Sequence, residues 1–77
     1  MNITIYTKAN CPNCVAAKQL LQSKGLEYEE SALDDEYAAT TFAAQYPEVR
    51  QMPQIFINGQ RVGGLAGLQA ALKQVGL

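Results

Sequence analysis

The sequence predicts an α/β domain with the element order β-α-β-α-β-β-α, built from a four-stranded mixed sheet and three helices. Short β-prone runs alternate with longer segments whose apolar residues recur at helical spacing. An Asn-Gly pair between two of the runs is typical of a tight hairpin. The chain has 77 residues, so we expect a single domain that spans residues 1–77.

The first strand and the first helix are separated by a turn at Lys8-Ala9-Asn10. A run rich in β-branched residues, residues 2–7, predicts a buried central strand. The helix is expected to begin near Cys11, because Pro12 suits a first helical position, where no backbone donor is needed. Gly25 is expected to end this helix.

Residues 26–31 alternate between apolar and polar side chains, which predicts a second strand at an edge of the sheet. A right-handed strand–helix–strand unit makes the first two strands parallel. In the second helix, Asp34 or Asp35 can cap the N-terminus, and Pro47 stops the helix. The side chains expected on one face of this helix are those of Ala38, Thr41, Phe42 and Gln45.

The last part of the chain predicts a hairpin followed by a closing helix. Residues 54–57 and 60–62 flank Asn58-Gly59, which predicts two antiparallel strands. Gly63-Gly64 then interrupts the chain. The helix that follows has apolar residues at spacings of three and four, namely Leu65, Leu68, Leu72 and Val75.

Charge and hydropathy exclude several classes of function. The net charge is −1 and no basic run occurs, so we expect no nucleic-acid partner. No apolar run approaches the ~20 residues that a membrane-spanning helix needs, so we expect no membrane partner. The N-terminal residues lack the features of a signal peptide, which together with only two cysteines predicts a cytoplasmic location.

The segment Cys11-Pro12-Asn13-Cys14 contains both cysteines and lies at a predicted strand-to-helix junction. A disulfide between them would close a loop of only about four residues and would add little stability. A Cys-x-x-Cys pair at such a junction is instead typical of a reversible dithiol/disulfide couple. The sequence therefore predicts redox chemistry at this segment.

The chain resembles the glutaredoxins, the small members of the thioredoxin fold, over nearly its whole length. The matching segments are, in order, Tyr6-Thr7-Lys8, Cys11-Pro12-Asn13-Cys14, Met52-Pro53-Gln54-Ile55-Phe56 and Gly63-Gly64. The resemblance implies a thioredoxin-like fold with a cis peptide bond before Pro53. It also implies a thiol–disulfide oxidoreductase that reduces protein disulfides and glutathione mixed disulfides. Glutathione would be the reducing co-substrate, with no bound cofactor, and we expect a monomer.

The resemblance implies different roles for the two cysteines. Cys11 is expected at the N-cap of the first helix, exposed, with unpaired N–H groups facing its sulfur. Such a position favours the thiolate, so Cys11 is the expected nucleophile. Cys14 lies one turn into the helix and should be more buried. It is expected to attack the mixed disulfide on Cys11 and release the reduced substrate.

The resemblance also implies a glutathione-binding site around the cysteines. Lys8 would favour the Cys11 thiolate and attract a glutathione carboxylate. The peptide between Met52 and Pro53 would pair with the extended substrate backbone. Gly63-Gly64 would expose N–H groups that bind the γ-glutamyl carboxylate. The full expected set is Lys8, Asn13, Gln51, Met52, Pro53, Gly64, Leu65 and Ala66, with no metal ligand.

The chain departs from the family pattern at several of these positions. Asn13 stands where many members carry Tyr, which removes an aromatic wall beside the bound tripeptide. Gln51 replaces a usual Thr. Ala66 and Gly67 replace the one or two acids that usually hold the substrate ammonium. Loss of one exposed charge contact predicts a cost of up to about 1 kcal/mol, or roughly fivefold in affinity.

The charge distribution has two interpretations. Six of the seven acidic residues fall within residues 27–36, away from the cysteine segment. The active edge would then be locally positive and attract glutathione carboxylates, or the pattern is ordinary surface charge. The cations near the active edge are Lys8, Lys18 and Arg50.

The sequence leaves open which reductant and partner the chain uses. Some short glutaredoxin-like proteins take electrons from thioredoxin reductase and deliver them to ribonucleotide reductase. Ala66 keeps this alternative open, whereas Lys8 and Gly63-Gly64 favour glutathione. A second alternative is a dimer that holds an iron–sulfur cluster through Cys11, although Pro12 counts against it. A zinc site is disfavoured, because two cysteines and no histidine fall short of the usual four ligands.

Overall fold

A computed structural model describes residues 1–49 and 51–77, and its strands form one sheet in the order β2-β1-β3-β4. The elements are β1 (Ile3–Thr7), α1 (Pro12–Ser23), β2 (Glu29–Ala32), α2 (Glu36–Gln45), β3 (Gln54–Ile57), β4 (Gln60–Gly63) and α3 (Leu65–Gln74). β1 and β2 are parallel, whereas β3 is antiparallel to both β1 and β4. The predicted element order, the central first strand and the mixed sheet are confirmed.

One face of the sheet carries the main apolar core, between the central strands and the helices α1 and α3. Burying a large aliphatic side chain contributes about 1.5–3 kcal/mol, so this cluster fixes both helices against the sheet. Its members are at most 2% exposed, and they are Ile3, Ile5, Ala17, Leu21, Ile55, Leu68 and Leu72.

The other face of the sheet is covered by α2 through a group of aromatic rings. The ring of Phe42, the buried residue of α2, lies 4.8 Å from that of Tyr6 and 4.9 Å from that of Tyr46. Phe56 of β3 completes the group, 5.6 Å from Tyr6 and 5.4 Å from Tyr46. These tilted and edge-on pairs position α2 and the loop that follows it.

The termini of the elements follow local sequence signals. Asp35 caps α2, because its carboxylate accepts a hydrogen bond of 2.6 Å from the backbone N–H of Ala38. Asn58 and Gly59 both have positive φ, 53° and 82°, as the predicted two-residue hairpin turn requires. The backbone turns after α1 at Gly25, whose φ is 69°.

Three details of the prediction were wrong. β2 begins at Glu29 rather than residue 26, because Leu26 still donates to the carbonyl of Leu21 in the turn that closes α1. Val75 is 61% exposed, because α3 ends at Gln74 and the chain turns away there. In α2 the exposed residues include Thr41 and Gln45, because the helix turns Phe42, its buried residue, toward the ring of Tyr6 on the sheet.

The strand pairing brings three chain segments together at one end of the sheet. The C-terminal end of β1 leads into Cys11, and Tyr6 near that end pairs with Gln54 at the start of β3. Ile55 pairs with Gly63 at the end of β4, directly before α3. The cysteine segment, the Met52–Pro53 peptide and the N-terminus of α3 therefore lie side by side.

Candidate active site

Cys11 and Cys14 form a disulfide at the N-terminus of α1, with their Cα atoms 5.2 Å apart. Cys11 is the N-cap residue, and the backbone N–H of Cys14 donates to the Cys11 Sγ at 3.2 Å. The same N–H would donate to a Cys11 thiolate after reduction. Together with the helix dipole, this hydrogen bond favours the anionic sulfur.

Both cysteine residues are largely buried. Cys14 is 2% exposed, as expected for the inner cysteine. The expectation of an exposed Cys11 was wrong, because this residue is only 8% exposed. Its sulfur turns toward the helix N-terminus to accept the capping hydrogen bond, and on another side it lies 3.5 Å from the carbonyl oxygen of Met52. Among the described residues, Cys11 borders two openings, one on each side of it.

The Met52–Pro53 peptide bond is cis and lies next to the dithiol, as the resemblance implied. Pro53 is buried, and its carbonyl oxygen would be 3.4 Å from a Cβ atom at Gly64. A methyl group at Gly64 would thus lie at van der Waals distance from the Pro53 backbone. The N-terminus of α3 therefore lies close to Pro53.

The N-terminus of α3 has no side-chain cap. Gly64 is the N-cap residue, and the first backbone bond of the helix runs from the N–H of Leu68 to the carbonyl of Gly64, at 2.9 Å. The N–H groups of Leu65 and Ala66 precede this bond, and Ala66 is exposed. Uncapped N–H groups at a helix start form an anion-binding position.

A groove of about 350 Å³ opens beside the Cys11 sulfur and is called the Met52-side groove below. Leu65 and Ala66 do not line it and lie past Pro53, at the start of α3. Four of the eight expected glutathione-binding residues therefore line the groove, namely Lys8, Asn13, Gln51 and Met52. The other four, Pro53, Gly64, Leu65 and Ala66, lie outside the groove, at Pro53 and at the start of α3. The groove is lined by Lys8, Asn10, Cys11, Pro12, Asn13, Gln51 and Met52.

A second depression, of about 510 Å³, lies on the β2 side of the disulfide and is called the β2-side depression below. Its wall contains both cysteines and a hydrogen-bonded group of polar residues. Glu30 accepts from the hydroxyl of Thr7 at 2.8 Å and from the ammonium of Lys18 at 3.0 Å. These two hydrogen bonds hold the pKa of the Glu30 carboxyl below its usual value.

The glutaredoxin family model matches residues 3–62, which is most of the chain. The chain belongs to the glutaredoxin family. Glutaredoxin 3 of Escherichia coli K12 is 40% identical over 76 residues, covering 99% of this chain and 92% of that protein. Family membership and the cysteine pair together identify a thiol–disulfide oxidoreductase.

Solved glutaredoxin structures have the same thioredoxin-like fold. Glutaredoxin 1 from Francisella tularensis, crystallised with cacodylate, superposes with a TM-score of 0.85 at 28% identity, covering 96% of this chain and 94% of that one. A buckwheat glutaredoxin–glutathione complex has a TM-score of 0.81 at 25% identity, covering 95% and 69%. The glutaredoxin-like NrdH-redoxin from Escherichia coli, with a thioredoxin-like activity profile, has a TM-score of 0.73 at 29% identity, covering 91% and 93%.

Gln54 is a site residue of this glutaredoxin that the sequence analysis missed. It is a buried polar residue of β3, and its amide donates to the carbonyl of Gln51 at 2.9 Å. Its side-chain oxygen accepts from Arg61 at 3.5 Å, and Arg61 pairs with Glu48 at 3.0 Å. These contacts hold the loop before Pro53. A lone polar residue in an otherwise apolar strand was the available signal.

The predicted positive edge of this glutaredoxin is smaller than the sequence suggested. Lys18 is paired with Glu30, so its charge is compensated locally. Arg50 lies outside the described residues. Lys8 is exposed and lines both the Met52-side groove and the β2-side depression. Among the cations predicted near the active edge, Lys8 is therefore the one whose charge faces both openings in the described structure.

Within residues 1–49 and 51–77, no helix is long and apolar enough to cross a membrane. The same residues contain no group of three or more His, Cys, Asp or Glu side chains arranged to hold a metal ion.

Proposed function

We propose that this glutaredoxin is a glutathione-dependent oxidoreductase that reduces protein disulfides and glutathione mixed disulfides through Cys11 and Cys14. The observation that supports it is the Met52-side groove, which opens beside Cys11, together with the uncapped N-terminus of α3, which lies past Pro53 and outside the groove. A structurally similar buckwheat glutaredoxin forms a complex with glutathione. Lys8 in the groove and the uncapped N–H groups at the start of α3 together match the carboxylates at the two ends of an extended glutathione molecule.

The proposed reaction starts from the reduced couple. The Cys11 thiolate attacks one sulfur of the substrate disulfide, and the other substrate sulfur leaves as a thiolate that takes a proton. The N–H of Cys14 stabilises the attacking anion until the new sulfur–sulfur bond forms. Cys14 then loses its proton and attacks the Cys11 sulfur, which releases the second substrate thiol and leaves the Cys11–Cys14 disulfide.

Two glutathione molecules would restore the dithiol. The first attacks the disulfide and forms a mixed disulfide on Cys11, and the second releases Cys11 as glutathione disulfide forms. Lys8 attracts a carboxylate of the tripeptide, and the Met52 peptide pairs with its backbone. The N–H groups of Leu65 and Ala66 bind the γ-glutamyl carboxylate. Asn13, Gln51, Pro53 and Gly64 shape the remaining wall.

A second candidate function has a specific observation in its favour. Ala66 and Gly67 leave the γ-glutamyl ammonium without an acidic partner at the start of α3. The chain is also structurally similar to NrdH-redoxin, which has a thioredoxin-like activity profile. In this case thioredoxin reductase would supply the electrons, and ribonucleotide reductase would be a candidate acceptor.

The rate of reduction of the oxidised protein distinguishes these functions. One reaction contains millimolar glutathione with glutathione reductase and NADPH, and the other contains thioredoxin reductase and NADPH. Fast reduction by glutathione supports the first proposal. Slow reduction by glutathione together with fast reduction by thioredoxin reductase would overturn it in favour of the second.

We also propose that residues 1–77 act as one domain and as a monomer in the cytoplasm. The chemistry of the site supports a cytoplasmic location, because the Cys11–Cys14 disulfide must be reduced to the dithiol again after each cycle. Reducing compartments maintain the glutathione pool that this step uses. Sedimentation of the reduced protein would test the monomer, and a second species at twice the mass would contradict it.

A further inference from the structure

The β2-side depression contains an ion pair that the reaction described above does not use. Lys18 Nζ lies 3.0 Å from the carboxylate of Glu30, and the two side chains are only 28% and 35% exposed. Lys18 follows Cys14 by four residues on α1, which places both on one face of that helix. The pair and both cysteines line the same depression.

The carboxylate of this pair is held in place from the sheet. The hydroxyl of Thr7, at the end of β1, donates to the same oxygen of Glu30 at 2.8 Å, and Thr7 is itself only 3% exposed. Glu30 therefore joins β1, β2 and α1 immediately beside the dithiol. The other charged residues that line the depression are Lys8 and Asp34, and both are exposed to solvent.

The charge of the dithiol changes when it is reduced. The disulfide is neutral, whereas the reduced couple carries a thiolate on Cys11 once the helix N-terminus has favoured its ionisation. A fixed charge nearby therefore acts on the reduced form and not on the oxidised form. A cation stabilises the reduced form, an anion destabilises it, and a close ion pair largely cancels its own effect.

We propose that Lys18 and Glu30 act on the reduction equilibrium of the Cys11–Cys14 couple in opposite directions that nearly cancel while they are paired, so that loss of either charge alone shifts the equilibrium. Lys18 and Glu30 are thus positioning residues that act through the sulfur and do not contact the substrate. This inference rests on the thiol–disulfide exchange of the family and not on glutathione being the physiological reductant.

The proposal predicts opposite effects from removing either charge. Glu30→Gln leaves the Lys18 charge uncompensated, so the reduced form should gain stability and the protein should become more oxidising. Lys18→Gln leaves the Glu30 charge uncompensated, so the protein should become more reducing. For a unit charge at a separation on the order of 6 Å in a water-like medium, Coulomb's law gives a roughly threefold change in the equilibrium constant, or about 14 mV for a two-electron couple. The double variant should return close to the native value.

The test is the equilibrium of each variant in buffers of fixed glutathione to glutathione disulfide ratio, read by alkylation of free thiols and mass spectrometry. One protein disulfide and two glutathione molecules give one protein dithiol and one glutathione disulfide, so electrons and protons balance. The equilibrium does not depend on how tightly glutathione binds. The result is therefore independent of the proposed function, which concerns rates.

The controls are Lys24→Gln and Glu27→Gln, which remove the same charges at exposed positions outside the depression. Titration of the Cys11 thiolate by ultraviolet absorbance gives a second readout, which should move to lower pH in Glu30→Gln and to higher pH in Lys18→Gln. Both shifts should shrink as salt is added. Equal shifts in the controls, shifts of the same sign in the two variants, or unchanged equilibria in both would overturn the proposal.

Discussion

Gly67 lies where α3 packs directly on the backbone of β4, and we predict that Gly67→Ala destabilises the protein. A Cβ atom at this position would overlap the carbonyl oxygen of Val62 and lie 2.8 Å from its carbonyl carbon. Val62 is the extra residue of a bulge in β4, between the pairs Phe56–Arg61 and Ile55–Gly63. The obstacle is backbone, so no side-chain rotation can relieve it.

The size of the effect follows from this geometry. Side-chain Cβ atoms do not approach other atoms within 3.0 Å, and the Cβ atom at position 67 would lie 1.8 Å from the Val62 oxygen, so α3 must move away from β4 by more than about 1 Å. Because the obstacle is backbone, the cost should fall in the upper part of the usual range for overpacking, about 2–3 kcal/mol, and the better helix propensity of alanine offsets about 1 kcal/mol. The expected net loss is about 1–2 kcal/mol. With 77 residues, 1 kcal/mol corresponds to about 6 °C, so Tm should fall by roughly 6–12 °C.

Thermal unfolding followed by circular dichroism measures this loss. Ala70→Gly is the matched control, because Ala70 is exposed in the same helix and its exchange reports helix propensity alone. A Gly67→Ala protein that is as stable as the native chain, or more stable by the amount that the control loses, would refute the reasoning. A side chain at position 67 would then be compatible with the packing of α3.

Three further predictions concern the site. Ala66→Asp introduces an acid at an exposed position of α3 and should raise kcat/KM for glutathione up to about fivefold. An unchanged kcat/KM in the coupled assay would show that α3 does not hold the γ-glutamyl ammonium of glutathione. Lys8→Gln should lower kcat/KM for glutathione at low salt, and a loss that persists in high salt would contradict a role based on charge. Because the pKa of Glu30 is lowered in the folded state, its contribution to stability is present above its usual pKa and is lost as pH falls through the lowered value. Urea midpoints measured from neutral to acidic pH should therefore decline less for Glu30→Gln than for the native chain, and parallel curves would contradict this.

Much of the fold was predictable because local signals agreed with one another. Apolar spacing, Asn58-Gly59, Gly25 and Pro47 mark element types and turns within short windows of sequence. The start of β2 was not predictable, because the turn that closes α1 retains Leu26 through a hydrogen bond to Leu21. The alternation of apolar and polar residues cannot show that Leu26 packs on the core before β2 begins.

Only the part of the site that lies within a short sequence motif was predictable. Cys11 and Cys14 lie in one segment, so their spacing was enough to indicate redox chemistry. The contacts of Glu30 with Thr7 and Lys18 join three elements, and they depend on the register of β2 against β1. No local pattern encodes that register. The partial burial of Cys11 likewise depends on Met52, 41 residues along the chain.

Cys11 is expected to act as the nucleophile, and Cys14 is expected to resolve the mixed disulfide. The most direct measurement treats Cys14→Ser and Cys11→Ser with glutathione disulfide and reads the intact mass and the modified peptide. We predict one glutathione on Cys11 in the Cys14→Ser protein, and almost none on Cys14 in the Cys11→Ser protein, because Cys14 is buried. An unmodified Cys14→Ser protein, or equal modification of both variants, would contradict the assignment of the two cysteines.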